Sequence, residues 1–172
     1  TTSYSWVNDT PGIGLAASGN GNIESLTVSN SGNTPVVATV IVTPTFENEG
    51  VACQGDSQTF TITVNPSSQV DEVDNQVLCN GDDSDEINFT TSNTSGTTTY
   101  SWVNDTPSIG LAATGSGDIA SFTAVNNSTS PVTATITATP IYTNEGISCD
   151  GPEETFTITV NPTAQVLSLI HI

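Results

Sequence analysis

Threonine alternates with apolar residues in long tracts of this chain: TFTITV at 59–64 and again at 155–160, and VTATITATPIY at 132–142. A period of two puts the apolar side chains of such a tract on one face and the hydroxyls on the other, the pattern of a half-buried β-strand. Thr, Val and Ile are β-branched, stiff at χ1 and suited to a pleated surface. No stretch carries apolar residues at the three-and-four spacing of an amphipathic helix, and no apolar run approaches the roughly 18 residues that a membrane-crossing helix needs.

Sliding the chain along itself by 96 residues aligns 1–70 with 97–166 without a gap, and 42 of those 70 positions are identical. Tyr4 falls on Tyr100, Trp6 on Trp102, Pro11 on Pro107, Cys53 on Cys149, and Asn65-Pro66 on Asn161-Pro162. A period this long marks tandem whole domains, not a solenoid whose units share one core. The expected organisation is a partial repeat over 1–66 without its N-terminal third, a complete repeat over 67–162, and the start of a further linker at 163–166. In the complete repeat, strands are expected near 70–78, 86–91, 98–104, 109–113, 119–126, 132–141 and 155–160. Turn clusters such as Asn80-Gly81-Asp82-Asp83 and Asn93-Thr94-Ser95-Gly96 separate them. About seven short strands in a unit of about 100 residues predict an all-β fold of tandem immunoglobulin-like β-sandwich domains.

YSWVNDTP stands at 4–11 and again, unchanged, at 100–107. It is either a ligand site made twice or a framework element made twice. Tyr100 and Trp102 stand two apart and so share a strand face, where a Trp serves as a core anchor in sandwiches of this size. Asn104 to Pro107 reads as the turn that follows. The framework reading predicts that Tyr100, Trp102, Phe122, Ile136, Phe156, Ile158 and Val160 are buried while Thr157 and Thr159 point outward.

The set YSWVNDTPSIGLAA, SFTAVNN, PVTATITATP and TFTITVNP resembles the PKD-like repeats strung in tandem along giant secreted surface proteins of Bacteroidetes, and the likeness covers nearly all of 1–166. The resemblance implies an extracellular, cell-surface sandwich used as a stalk, adhesin segment or filament. Its partners would be neighbouring repeats, with self-assembly into fibres as an extension of the same contact. No catalytic residues come with it. Wider PKD domains follow their Trp with an aspartate-glycine turn, whereas Val103, Asn104, Asp105, Thr106 and Pro107 stand here.

Composition narrows the function further. The 172 residues include no Lys or Arg and 18 acids, a formal charge of −18. Nucleic-acid binding and attraction to anionic membranes both rest on cationic side chains, so neither is expected. Triad hydrolysis needs a basic partner for its nucleophile. The one histidine, His171, lies in a tail that departs from the repeat. That tail, 167–172, reads LSLIHI, the translation of CTGTCTCTTATACACATC, a transposase adapter used in preparing sequencing libraries. It is expected to be an artefact of sequencing. A two-carboxylate glycosidase is not favoured by acids that sit on turns of a duplicated sandwich, and no enzyme is expected. The Gly-x-Gly at 19–21 and 115–117 lacks the strand-loop-helix setting of a phosphate loop and reads as a turn.

Two features leave alternatives open. Cysteines fall at Cys53, Cys79 and Cys149, two to a repeat once the 96-residue shift is applied. Cys79–Cys149 is the simplest disulfide, with Cys53 then lacking a partner. A bridge between neighbouring repeats and free thiols are the other readings. Acids cluster at Asp71, Glu72 and Asp74 and at Asp82, Asp83, Asp85 and Glu86. They are either solvated charge that keeps the chain soluble, or, through Asp71, Asp74, Asp82, Asp83 and Asp85, ligands for Ca²⁺ as cofactor. A surface glycan is the alternative partner, on exposed indoles. Ice is a more distant one, on a threonine face made by Thr133, Thr135, Thr137 and Thr139 beside Thr155, Thr157 and Thr159.

Overall fold

A computed structural model describes residues 1–165. The adapter-like tail at 167–172 lies outside the described residues. The chain is nearly all β, 47% strand and 4% helix, with two sheets, consistent with β-sandwich architecture. No helix among the described residues is long and apolar enough to cross a membrane. The described residues divide into two compact units: 1–67 with 93–95, and 68–92 with 96–165.

The first unit holds β1 (Thr2–Asn8), β2 (Ser18–Asn20), β3 (Val36–Asn48), β4 (Val51–Gln54) and β5 (Gln58–Val64). They form one antiparallel sheet in which the long β3 pairs β1 along one edge and both β4 and β5 along the other. The second unit holds β6 (Gln76–Cys79), β7 (Thr97–Asn104), β8 (Thr114–Ser116), β9 (Val132–Asn144), β10 (Ile147–Asp150) and β11 (Glu154–Asn161). Its sheet runs β6-β11-β9-β7-β8, with β10 also on β9. Register repeats with the sequence: Trp6 lies opposite Gly19 and Trp102 opposite Gly115, and Val40 pairs Phe60 as Ile136 pairs Phe156. The one strand without a counterpart is β6, which pairs parallel with β11, Ile158 against Gln76 and Val160 against Leu78.

Period two does what it predicts in the second unit. Along β9, Ala134, Ile136, Ala138 and Tyr142 are fully buried, and along β11 so are Ile158 and Val160, with Phe156 2% exposed. The intervening threonines take the other face, where Thr133 stands opposite Thr159, Thr135 opposite Thr157 and Thr137 opposite Thr155. Burying each large apolar side chain contributes about 1.5–3 kcal/mol, so this face carries most of the unit's stability. Of the expected core, Trp102, Ile136, Phe156, Ile158 and Val160 are buried, while Tyr100 and Phe122 are half-buried and pack against the same cluster.

The layer facing this sheet is thinner than seven strands would make it. Residues 109–113 are not a strand: Pro107–Ile109 form a 3-10 turn that Gly110 ends in the left-handed region at φ 99°. The expected strands at 86–91 and 119–126 reduce to two isolated bridges, Ile87 with Ile119 and Asp83 with Thr123. The strand at 70–78 contracts to β6. Ile87, Phe89, Ile109, Leu111, Ile119 and Ala124 nevertheless come from these segments into the core. Burial is achieved with few ladder bonds, because side-chain amides and hydroxyls satisfy the backbone instead.

Candidate functional site

The duplicated Asn-Asp-Thr-Pro turn is the first place to look for chemistry. Asn104 is 3% exposed. Its Nδ2 donates to the carbonyls of Leu111 (3.1 Å) and Ala112 (3.3 Å), and its Oδ1 accepts from Thr106 N–H at 3.0 Å. Asn8 repeats this in the first unit, with Nδ2 to the Leu15 carbonyl at 2.9 Å and Oδ1 from Thr10 N–H at 3.0 Å. One amide thus binds both sides of the 3-10 turn, and its donors and acceptor are spent on backbone. Asn126 and Asn30 form a second repeated pair. Their Nδ2 groups reach the carbonyls of Val160 and Val64 at 2.7 and 2.8 Å, tying a loop to the end of the last strand.

The neighbouring carboxylate is also used inward. Asp105 Oδ1 accepts from Thr135 N–H and from the Thr106 hydroxyl, both at 2.8 Å, and Asp9 takes the same two bonds from Thr39 and Thr10. The backbone N–H of Thr135, and after it the Thr106 hydroxyl, hold the Asp105 carboxyl below its usual value, as those of Thr39 and Thr10 do for Asp9. A depressed folded-state pKa stabilises the fold at pH above the ordinary aspartate value, and that contribution is lost as pH falls through the lowered one. Carboxyl-carbon NMR titration is therefore expected to give midpoints for Asp105 and Asp9 below the ordinary aspartate value. Asp105→Asn is expected to flatten the acid limb of the unfolding curve. Ordinary midpoints at both positions would show that the turn is not held this way.

Of the acid-bearing positions proposed to hold Ca²⁺, the structure brings no set together: among the described residues no three His, Cys, Asp or Glu side chains converge as metal ligands. Asp71 accepts from the Thr90 hydroxyl at 2.7 Å, Asp82 from Cys79 N–H at 3.1 Å, and Asp83 from the Thr123 hydroxyl at 2.8 Å. Asp85 is fixed through its own N–H, which donates to Gln76 Oε1 at 3.0 Å. Asp74, Asp85, Glu72 and Glu86 line one open groove of about 320 Å³ beside Asn75 and Gln76. It is a solvated acidic trough without a converging donor set.

The Cys79–Cys149 disulfide is corrected by register. Cys79 lies beside Asn161, one residue past the Val160–Val132 pair, whereas Cys149 pairs Tyr142. Ten residues of β9 (132 to 142) separate the two levels, roughly 34 Å at ~3.4 Å per residue, against the roughly 7 Å that a disulfide spans. Cys53, Cys79 and Cys149 are free thiols, the first two exposed.

Neither indole offers a glycan platform, since Trp6 and Trp102 are 8% and 7% exposed. The threonine face exists, but several of its hydroxyls are turned to neighbours: Thr133 to Thr159 at 2.9 Å, Thr157 to Asn75 at 3.0 Å, Thr139 to Glu153 at 3.4 Å. Sequence reasoning missed the role of Gly115 and Gly19. They are strand residues beneath the Trp rings, while the turn is made by Gly117 and Gly21 at φ 67° and 74°. No family profile, curated protein or solved structure matches the chain.

Proposed function

We propose that the chain is a non-catalytic structural repeat of an extracellular stalk, adhesin segment or filament, built of tandem immunoglobulin-like sandwiches whose partners are neighbouring repeats. One observation carries the reading: what the two units share is framework. The repeated Asn, Asp, Trp and Gly residues do the same backbone and packing work in each, and the positions that differ lie largely outside those contacts. A duplicated active site would instead repeat side chains that converge on open space. The absence of Lys and Arg from the sequence removes every trypsin-type cleavage site, which suits an exposed fibre. The segment joining β5 to the next repeat is short and contains Pro66, whose fixed φ restricts Asn65 as well.

A stalk requires reach. Small-angle scattering on arrays of increasing repeat number is expected to give a maximum dimension that grows by a constant step per repeat. Chelator should leave that step unchanged, because no three carboxylates converge among the described residues. A dimension that stays nearly flat as repeats are added overturns the stalk. Antibody labelling of intact cells tests the location, and a signal seen only after permeabilisation overturns the extracellular assignment.

A further inference from the structure

The second unit holds an open groove of about 400 Å³, apart from the acidic trough, whose lining includes Phe89, Thr98, Tyr100, Ser116 and Asp118. Thr98 and Tyr100 stand two apart on β7 and so share a strand face. Tyr100 is half-buried and packs against the core, its ring centroid 5.3 Å from that of Phe89. Beyond β8, Gly117 turns the chain at φ 67°, and its N–H donates to the Tyr100 carbonyl at 2.9 Å. That bond sets the next residue, Asp118, at the rim of the groove that Tyr100 lines.

The carboxylate is fixed in place. Asp118 Oδ1 accepts from Phe89 N–H at 2.9 Å, a bond that uses one oxygen of a residue that stays exposed. The surroundings are negative as well. Burial raises the Tyr100 phenol above its ordinary value; a bond with Thr91 lowers it, and the charges of Asp71 and Asp118 raise it further. An aromatic ring beside a fixed carboxylate attracts a cation twice over, through the ring quadrupole and through the charge. This chain has no Lys or Arg to put there. The cation has to come from another molecule, and a second copy of the chain has none to offer.

We propose that this groove is a docking site for an arginine side chain of a different protein, its guanidinium laid against the Tyr100 ring and bonded to the Asp118 carboxylate. A guanidinium fits both neighbours at once, since it is planar, stacks on aromatic rings and carries a fork of donors that matches a carboxylate. A divalent metal fits neither, because one carboxylate is too few oxygen donors and rings supply none. A neutral sugar would leave the charge of Asp118 unmatched. The proposal is independent of the stalk reading, since a groove of this kind can exist in a protein of any location.

The net charge of −18 draws any cation toward the chain, so the test has to separate a site from a diffuse atmosphere. Diffuse attraction is spread over all the acids and is largely screened at about 0.15 M salt. A docked guanidinium is local and saturable, and its uncharged isostere lacks it. Position 118 also offers a gentle variant. Asn22 holds the matching place in the first repeat, and an asparagine at 118 keeps an oxygen for Phe89 N–H while losing the charge.

The test titrates the full chain with the capped peptide acetyl-Gly-Arg-Gly-amide at about 0.15 M salt, followed by amide NMR. Saturable shifts are expected at Tyr100, Ser116, Gly117 and Asp118, with a dissociation constant on the order of millimolar for one side chain alone. The same peptide with citrulline, neutral and of the same shape, should give none. Asp118→Asn should weaken binding about threefold or more while its amide spectrum elsewhere stays that of the folded chain, and Tyr100→Leu should weaken it by a similar factor. Shifts spread over the acids without saturation at the groove, equal binding of the citrulline peptide, or unchanged affinity in folded Asp118→Asn overturns the proposal. So does cellobiose, as a neutral sugar probe, if it shifts the same amides more tightly than the arginine peptide.

Discussion

Gly115→Ala is expected to destabilise the second unit by about 2–4 kcal/mol, well beyond an ordinary glycine-to-alanine change. Gly115 is an edge-strand residue directly opposite Trp102, and a Cβ built there would overlap the six-membered ring of the indole. Strand propensity alone favours alanine over glycine, so the sign of the effect comes from the contact. The ring has nowhere to go, because Trp102 is 7% exposed and packs within the core that includes Ile136, Ala138 and Phe156. Gly19 stands under Trp6 in the same way, so Gly19→Ala should behave likewise in the first unit. Gly117→Ala is the control: nothing lies within 4 Å of its Cβ position, and its φ of 67° predicts a strain cost of only about 1 kcal/mol. Chemical denaturation measures all three. Trp102→Phe, with its smaller ring, should recover part of the Gly115→Ala loss, a non-additivity that a double-mutant cycle detects. A Gly115→Ala cost below about 0.5 kcal/mol would mean that the indole does not rest on that glycine.

The contrast between Gly115 and Gly117 marks what the sequence makes legible. Alternation of threonine with apolar residues identified β9 and β11 and the direction of each side chain, because period two is a local property of one strand. Which residue lies across from Trp102 is a property of two strands, and a Gly-x-Gly looks like a turn whether one glycine or both belong to it. The same limit governed the facing layer. Ile109 and Leu111 alternate as a strand would, and both are buried, yet Asn104 takes the carbonyls of Leu111 and Ala112 and a 3-10 turn replaces the ladder. The acids read as two clusters, at 71–74 and 82–86, because they are close in sequence; the hydroxyls of Thr90 and Thr123 that bond Asp71 and Asp83 arrive from elsewhere in the chain. Cys79 and Cys149 were paired by count. Only the parallel register of β6 reveals that they stand at opposite ends of the sheet.

Phenylalanine at two equivalent positions provides the second large effect, as a difference. Phe156→Ala is expected to cost about 3–5 kcal/mol, the range for deleting a fully enclosed aromatic ring, because Phe156 is 2% exposed and its ring meets Phe89. Phe60→Ala removes the same ring from the same register position, opposite Val40 as Phe156 is opposite Ile136. Phe60 is 43% exposed, however, so less apolar surface is returned to water and no enclosed cavity is left. A cost of about 1 kcal/mol is expected. A chain of two compact units need not unfold in one step, so a single global midpoint would blur the comparison. Native-state hydrogen exchange reads each unit from its own amides, those of β5 and β3 for one and those of β11 and β9 for the other. Each substitution should lower protection in its own unit and leave the other unchanged. Equal costs would mean that the ring of Phe60 is as enclosed in solution as that of Phe156.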